Sequence, residues 1–302
     1  MKLWLQRFVT HPSQASLAWA LNTFFTLLPV DWASSLGGWM GRKIGPRLRV
    51  TNNARRELAI TFPKLSAADI KTIIDQMWDN LGRTAGEHPH LAKFNPYKEN
   101  SRVELIGVEF IEQLRDDAQP GIFFSAHLAN WELVPLASTK RDLPLHLVYR
   151  RANNPFFDRL VQKGRLGTGG QYFPKGAAGS KGILRALNNG DHLAMLVDQK
   201  MNDGIRVPFL GRDAMTAPAL AQLALRYNCP VVPVQVERLQ GAYFRVTVHP
   251  PLSQPKTGNR KTDIAAITTV VNEHLGSWIK QQPEQWLWVH NRWPNEQEFL
   301  SK

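Results

Sequence analysis

Apolar positions along the chain change period several times, and each change predicts an element. From Ser13 to Val30 no residue is charged, and apolar side chains are interspersed with Gln14, Asn22 and Thr26. The run is near the lower length limit for a spanning helix, about 17 residues, and is polar for one. It predicts a single membrane anchor or an interfacial helix, ahead of a core helix. Asp31 then reads as the N-cap of a second helix through Met40, stopped near Gly45-Pro46. Val50 to Phe94 carries apolar residues at helical spacing around a break at Phe62-Pro63. The chain therefore divides into N-terminal membrane-anchoring or interfacial helices, 1–45, and one main domain, 46–302, with no repeat, low-complexity run or linker inside it.

Beyond Phe94 short apolar runs alternate with helical stretches. Strands are predicted at Val103–Ile106, up to Ser125, at Leu145–Tyr149, His192–Val197, Pro230–Val236 and Tyr243–Val248. Helices are predicted over Val108–Leu114, from Phe156, from Ser180 to Leu187, from a Thr216 cap to Tyr227, and from Asp263 toward Gln281. That order predicts an α/β fold, a central mostly parallel or mixed sheet with helices on both faces. Three strands run into polar residues, His127, Arg150 and Asp198. Open parallel sheets hold ligands beyond the carboxyl ends of their strands, so one shared edge can hold one site.

Composition adds a direction. Lys+Arg 37 against Asp+Glu 25 leaves a net charge of +12 over 302 residues, which favours an acidic partner. The basic residues are dispersed, with no arginine-rich tail and no RNA-binding or zinc-finger signature, so nucleic acid is disfavoured. Ten tryptophans, several near the N-terminal segment, suit a membrane interface. No small-residue cleavage site follows the uncharged run, against a secretory signal. The lone Cys229 excludes internal disulfides and a Cys-based zinc cluster. Glu87, His88 and His90 hint at a metal, but Pro89 breaks helical ligand spacing and structural roles are expected. Gly167-Thr168-Gly169-Gly170 follows a helix and lacks the context of a dinucleotide loop. A serine hydrolase is disfavoured because no Gly-x-Ser-x-Gly elbow occurs.

The candidate chemistry lies in Gly121 to Pro135, where an apolar run ends in small residues, then His127, with Glu132 five positions on. On one continuous helix these two side chains would point roughly 140° apart. They meet only if His127 lies in the turn before the helix and Glu132 reaches back. A carboxylate on one imidazole nitrogen fixes the tautomer and leaves the other nitrogen as a general base. Such a base activates a hydroxyl on the substrate, so no Ser or Cys nucleophile is needed.

Ser125-Ala126-His127-Leu128-Ala129-Asn130-Trp131-Glu132 resembles the His-x4-acid motif of the lysophospholipid acyltransferase superfamily, and more narrowly the late acyltransferases of lipid A biosynthesis. That family's block commonly reads Gly-His-x-Gly-Asn-Trp-Glu; here both glycines are alanine. Asn53 to Ala59 with Phe62-Pro63, Met77 to Arg83, Asp198-Gln199 leading to Val207-Pro208-Phe209-Leu210-Gly211, and Gln285 to Trp293 also resemble it. The resemblance implies transfer of a fatty acyl group from acyl-acyl carrier protein to a hydroxyl of a lipid A precursor, at the cytoplasmic face of the inner membrane. It implies His127 as base, Glu132 as its orienting acid, and Arg159 and Asp198 as substrate-binding candidates; Asn130, Arg150 and Arg165 are the other substrate-binding candidates. Backbone amides after His127, with Arg159, are expected to hold the oxyanion. No metal, nucleotide or other cofactor is demanded. Arg150, Arg151, Lys163 and Arg165 are placed to meet the acidic carrier protein or the lipid phosphates. The alternatives are a glycerolipid or glycolipid acyltransferase with the same chemistry, and a non-enzymatic basic membrane-binding protein.

Overall fold

The computed structural model describes residues 10–143, 145–166 and 168–293. Helices α1 (His11–Leu27) and α2 (Val30–Ile44) are followed by α3 (Thr51–Thr61) and α4 (Ala67–Glu87). The α3/α4 break falls at the expected Phe62-Pro63. Ser66 caps α4 in a reciprocal box with Asp69, satisfying donors that a helix start leaves unpaired. Helix α2 lies directly on α4, because a Cβ on Gly37, Gly41 or Gly82 would overlap a carbonyl of the facing helix. Leu17, Trp19, Phe24, Leu27, Trp32 and Trp39 on α1 and α2 face outward. Among the described residues no helix is long and apolar enough to cross a membrane.

The remaining elements alternate: β1 (Val103–Ile106), α5 (Val108–Asp116), β2 (Ile122–Ser125), α6 (Val134–Thr139), β3 (Leu145–Tyr149), α7 (Pro155–Arg165), β4 (Tyr172–Pro174), α8 (Ala177–Asn188) and β5 (His192–Leu196). Then come β6 (Lys200–Phe209), β7 (Arg212–Thr216), α9 (Ala219–Tyr227), β8 (Val231–Gln240), β9 (Tyr243–Val248) and α10 (Arg260–Gln281). Seven strands form one sheet in the order β1-β9-β8-β2-β5-β3-β4. Only the β8–β9 pair is antiparallel in it, so the sheet is mixed and mostly parallel.

Alternate residues of the central strands feed two apolar clusters. Ile122, Phe124, Leu193 and Met195 pack with Ala186 of α8, Leu220 of α9 and Ile267 of α10. Phe123, Ala194, Val232 and Val234 pack with Ile111 of α5 and Leu136 of α6. Both faces are covered, which is why β2 reads as a continuous apolar run rather than an alternating one.

Two features were not legible as strands. Strand β4 has three residues, too few to show a period. The β6–β7 hairpin stands apart from the sheet, and its two-residue turn, Leu210-Gly211, has positive φ at both positions, the twist a tight hairpin needs. The Val-Pro-Phe-Leu-Gly element is the end of that hairpin. Ser180 does not cap α8, which starts at Ala177; its hydroxyl bonds back to Gly176 O at 2.9 Å.

Candidate active site

Sheet register makes the site. Ser125 of β2 is paired with Leu196 of β5, so His127 and Asp198, each two residues further on, leave the sheet side by side. Neighbouring strands lie about 4.8 Å apart, which is side-chain reach. His127 Nδ1 is 2.8 Å from Asp198 Oδ1, and the His127 amide donates to Oδ2 at 3.0 Å. Trp286 Nε1 also donates to Oδ2, at 2.8 Å. Burial alone would raise the Asp198 carboxyl, but the imidazole and these donors hold it well below the usual carboxylate range. An ionised carboxylate only accepts, so Nδ1 carries the proton and the lone pair of Nε2 faces the cavity.

The acid against the imidazole is therefore Asp198, and the expectation that Glu132 takes this role is corrected. After His127 the chain turns through Ala129, at φ +48, and enters a short 3-10 turn, Trp131–Leu133, which aims Glu132 at α7. There Arg165 grips it twice, Nε to Oε2 at 2.8 Å and Nη2 to Oε1 at 2.6 Å, and Trp131 Nε1 donates at 3.1 Å. Burial works to raise the Glu132 carboxyl, yet Arg165 beside it holds it below its ordinary value. Left-handed backbone costs alanine roughly 1 kcal/mol where glycine adopts it freely. Hydrogen bonds hold Ala129 in it: its amide donates to Gln285 O at 3.0 Å, and its carbonyl accepts from Asn80 Nδ2 at 3.2 Å and Thr84 Oγ1 at 3.1 Å.

The other expected site residues separate. Arg150 follows β3 and lines the cavity beside His127. Arg165 lines it too, through its pair with Glu132. Asn130 is buried and donates to Glu87 Oε2 at 2.9 Å while accepting from the Glu132 amide, so it braces the turn rather than meeting substrate. Arg159 is a second correction: it is exposed, sits over Phe156, and lines a separate groove with Trp19 and Lys163, because α7 turns that face away from the sheet edge. Glu87 and His90 face different partners, Arg238 and the Phe25 carbonyl.

The cavity of about 310 Å³ at His127 is walled by Trp131, Arg150, Lys175, Gln199 and His290. A larger, mostly apolar chamber of about 720 Å³ adjoins it, sharing Val148, Arg150, Lys175, Met195, Leu196 and Gln199. Ile183 and Leu184 of α8 and Leu220 and Leu223 of α9 line its depth. Sequence reasoning missed Lys175, Gln199, His290 and Trp286 as site residues. Lys175 follows β4, the strand too short to read. Gln199 sits beside Asp198 in a block already singled out, and His290 and Trp286 lie in the tryptophan-rich end read as packing. Burial pushes the Lys175 ammonium down and the His290 imidazole down to about 4.

Comparison with known proteins matches residues 5–295 to a family described as bacterial lipid A biosynthesis acyltransferase. A lipid A biosynthesis myristoyltransferase of Escherichia coli (strain K12) is 24% identical over 269 residues, covering 87% of this chain and 81% of the relative. A lipid A biosynthesis lauroyltransferase of the same organism is 25% identical over 248 residues, 80% of this chain and 78% of its own. A lipid A biosynthesis acyltransferase of Haemophilus influenzae is 23% identical over 277 residues, 89% and 85% of the two chains.

Proposed function

Because the chain belongs to the bacterial lipid A biosynthesis acyltransferases, we propose that it moves a fatty acyl chain from an acyl-acyl carrier protein thioester to a hydroxyl of a lipid A precursor, with His127 as general base and Asp198 as the acid that orients it. The observation that carries this reading is the 2.8 Å contact of His127 Nδ1 with a buried carboxylate, which leaves Nε2 basic at the cavity wall.

The chemistry balances on one imidazole. Nε2 takes the hydroxyl proton as the oxygen bonds to the thioester carbonyl carbon, and the carbonyl π pair moves onto its oxygen. Collapse of that oxyanion re-forms C=O, breaks the C–S bond, and the departing thiolate takes the proton back from the imidazolium. Asp198 stabilises the imidazolium between these steps without itself changing protonation. The adjoining apolar chamber suits the acyl chain, and Arg150 and Lys175 on the wall between the two chambers suit phosphate on either substrate. Glu132 and Arg165 form a brace in the cavity wall rather than the proton relay.

The outward aromatic and aliphatic residues of α1 and α2, on a chain of net charge +12, support docking in the interface of the inner membrane at its cytoplasmic face. Incubation of the protein with carrier-protein thioesters and a tetra-acylated lipid A precursor, read by mass spectrometry, tests the reaction. A gain of one acyl chain that His127→Ala abolishes is expected; an equal gain in that variant overturns the assignment. Flotation with anionic vesicles tests docking, which Trp19→Ala with Leu17→Ser is expected to weaken.

A further inference from the structure

The tetrahedral intermediate needs a hydrogen-bond donor, and the turn after His127 has few to give. The His127 amide is spent on Asp198 Oδ2, the Leu128 amide on Ala126 O at 2.8 Å, and the Ala129 amide on Gln285 O at 3.0 Å. The Glu132 and Leu133 amides are spent on Asn130, at 3.3 and 3.1 Å. Arg165 is committed to Glu132, and Arg159 lies outside the cavity. With those five amides engaged, the side-chain donors at the cavity wall include Gln199, Arg150 and Lys175.

Gln199 stands where such a donor is required. Its Nε2 is 3.3 Å from His127 Nε2 and 3.2 Å from His290 Nε2, and the two rings lie 5.4 Å apart at 64°. Which end of the amide faces the rings follows from the proton order. Asp198 accepts a hydrogen bond from the Nδ1–H of His127, so Nε2 of His127 is an acceptor and the group facing it must be the amide NH₂. The second hydrogen of the same NH₂ then points at His290 Nε2, which must also accept. Burial keeps the His290 imidazole neutral at physiological pH, consistent with an accepting nitrogen. The amide is thus fixed from both sides.

Resting on the acyl-transfer reading above, we propose that the Gln199 amide is the oxyanion donor of this site and that His290 is the positioning residue that holds its NH₂ toward the reacting carbon. In the resting state one N–H caps the base. When the acceptor hydroxyl takes that place on His127 Nε2, the N–H is released toward the adjacent carbonyl oxygen, while His290 keeps the other hydrogen and prevents the amide from flipping. As the C=O π pair moves onto oxygen the N–H···O bond shortens and strengthens, so it acts on the barrier more than on binding. Arg150 and Lys175 add positive charge at the wall; Gln199 is the donor that touches the base.

Kinetics of the full-length protein with a carrier-protein thioester and a lipid A precursor test this. Gln199→Ala is expected to lower kcat roughly 10²- to 10³-fold with KM changed less than about threefold, the signature of one lost oxyanion donor. Gln199→Glu keeps the length and loses the donor, and is expected to lose as much; it carries the test should Gln199→Ala fail to fold by thermal melting. His290→Leu is expected to cost about tenfold in kcat, and His290→Gln, whose amide oxygen accepts in the same region, to recover most of it. In Gln199→Ala/His290→Leu the second change should add nothing, since His290 acts only through Gln199. A kcat within threefold of the parent for a folded Gln199→Ala or Gln199→Glu overturns the proposal, as does a double variant slowed by the product of the two single losses. His127→Ala run alongside separates the outcomes: if it retains activity the base assignment itself fails, whereas its loss with Gln199 variants at full rate removes only this inference.

Discussion

Asp198→Asn isolates the residue on which the mechanism turns. The carboxylate accepts three hydrogen bonds, from His127 Nδ1 at 2.8 Å, the His127 amide at 3.0 Å and Trp286 Nε1 at 2.8 Å. Asparagine has the same shape but one acceptor. With its oxygen toward the imidazole, its NH₂ opposes two N–H donors in a fully buried position. Flipped, its oxygen accepts both of those donors and its NH₂ faces Nδ1. The flipped arrangement satisfies the three donors and acceptors around the buried side chain, so it prevails, and it forces the imidazole proton onto Nε2. The base is then absent although the ring has not moved. The comparable change in a serine protease triad drops kcat by about 10⁴, so a loss of roughly 10³- to 10⁴-fold is expected here, about 4 to 5.5 kcal/mol in the barrier. KM and the melting temperature should stay close to the parent values, since no donor at the buried carboxylate position loses its acceptor. Steady-state acylation followed by mass spectrometry, with melting curves alongside, reads all three. A folded Asp198→Asn within tenfold of the parent, together with a folded but inactive Glu132→Gln, would refute the assignment and return the orienting role to Glu132.

Other consequences concern stability. Arg165→Met leaves Glu132 buried and uncompensated and should cost about 3 to 5 kcal/mol in chemical denaturation, with Glu132→Gln/Arg165→Met recovering much of it. Arg238 bonds Glu87, Asn80 and the Gly241 carbonyl, tying α4 to β8, so Arg238→Met should destabilise by a similar amount, about 3 kcal/mol or more, while leaving the kcat of the folded fraction unchanged. His192 is buried with neither ring nitrogen paired among the described residues, and burial pushes it down to about 4. Its folded value lies below its unfolded one, so its contribution is full above about pH 6.5 and is lost as pH falls toward 4, up to about 3 kcal/mol. His192→Phe should flatten the pH dependence of melting across that window; an unchanged slope would remove the argument.

The sequence by itself determined the layout: strand, tight turn and helix around His127, an α/β sheet with polar residues past the ends of its strands, and the block that resembles the late acyltransferases. These are local or periodic signals, written in consecutive residues, and they need no partner to be read. Which carboxylate touches the imidazole was not among them. That was decided by the pairing of Ser125 with Leu196, a register between strands far apart in the chain, and by the left-handed turn at Ala129 that swings Glu132 away toward Arg165. The same holds for Lys175, Gln199 and His290, which come from a three-residue strand, a strand end and the C-terminal segment, and meet only in the folded chain. A hydrogen bond reaches about 3 Å, and closeness on that scale between distant residues is a property of tertiary packing, not of spacing along the chain.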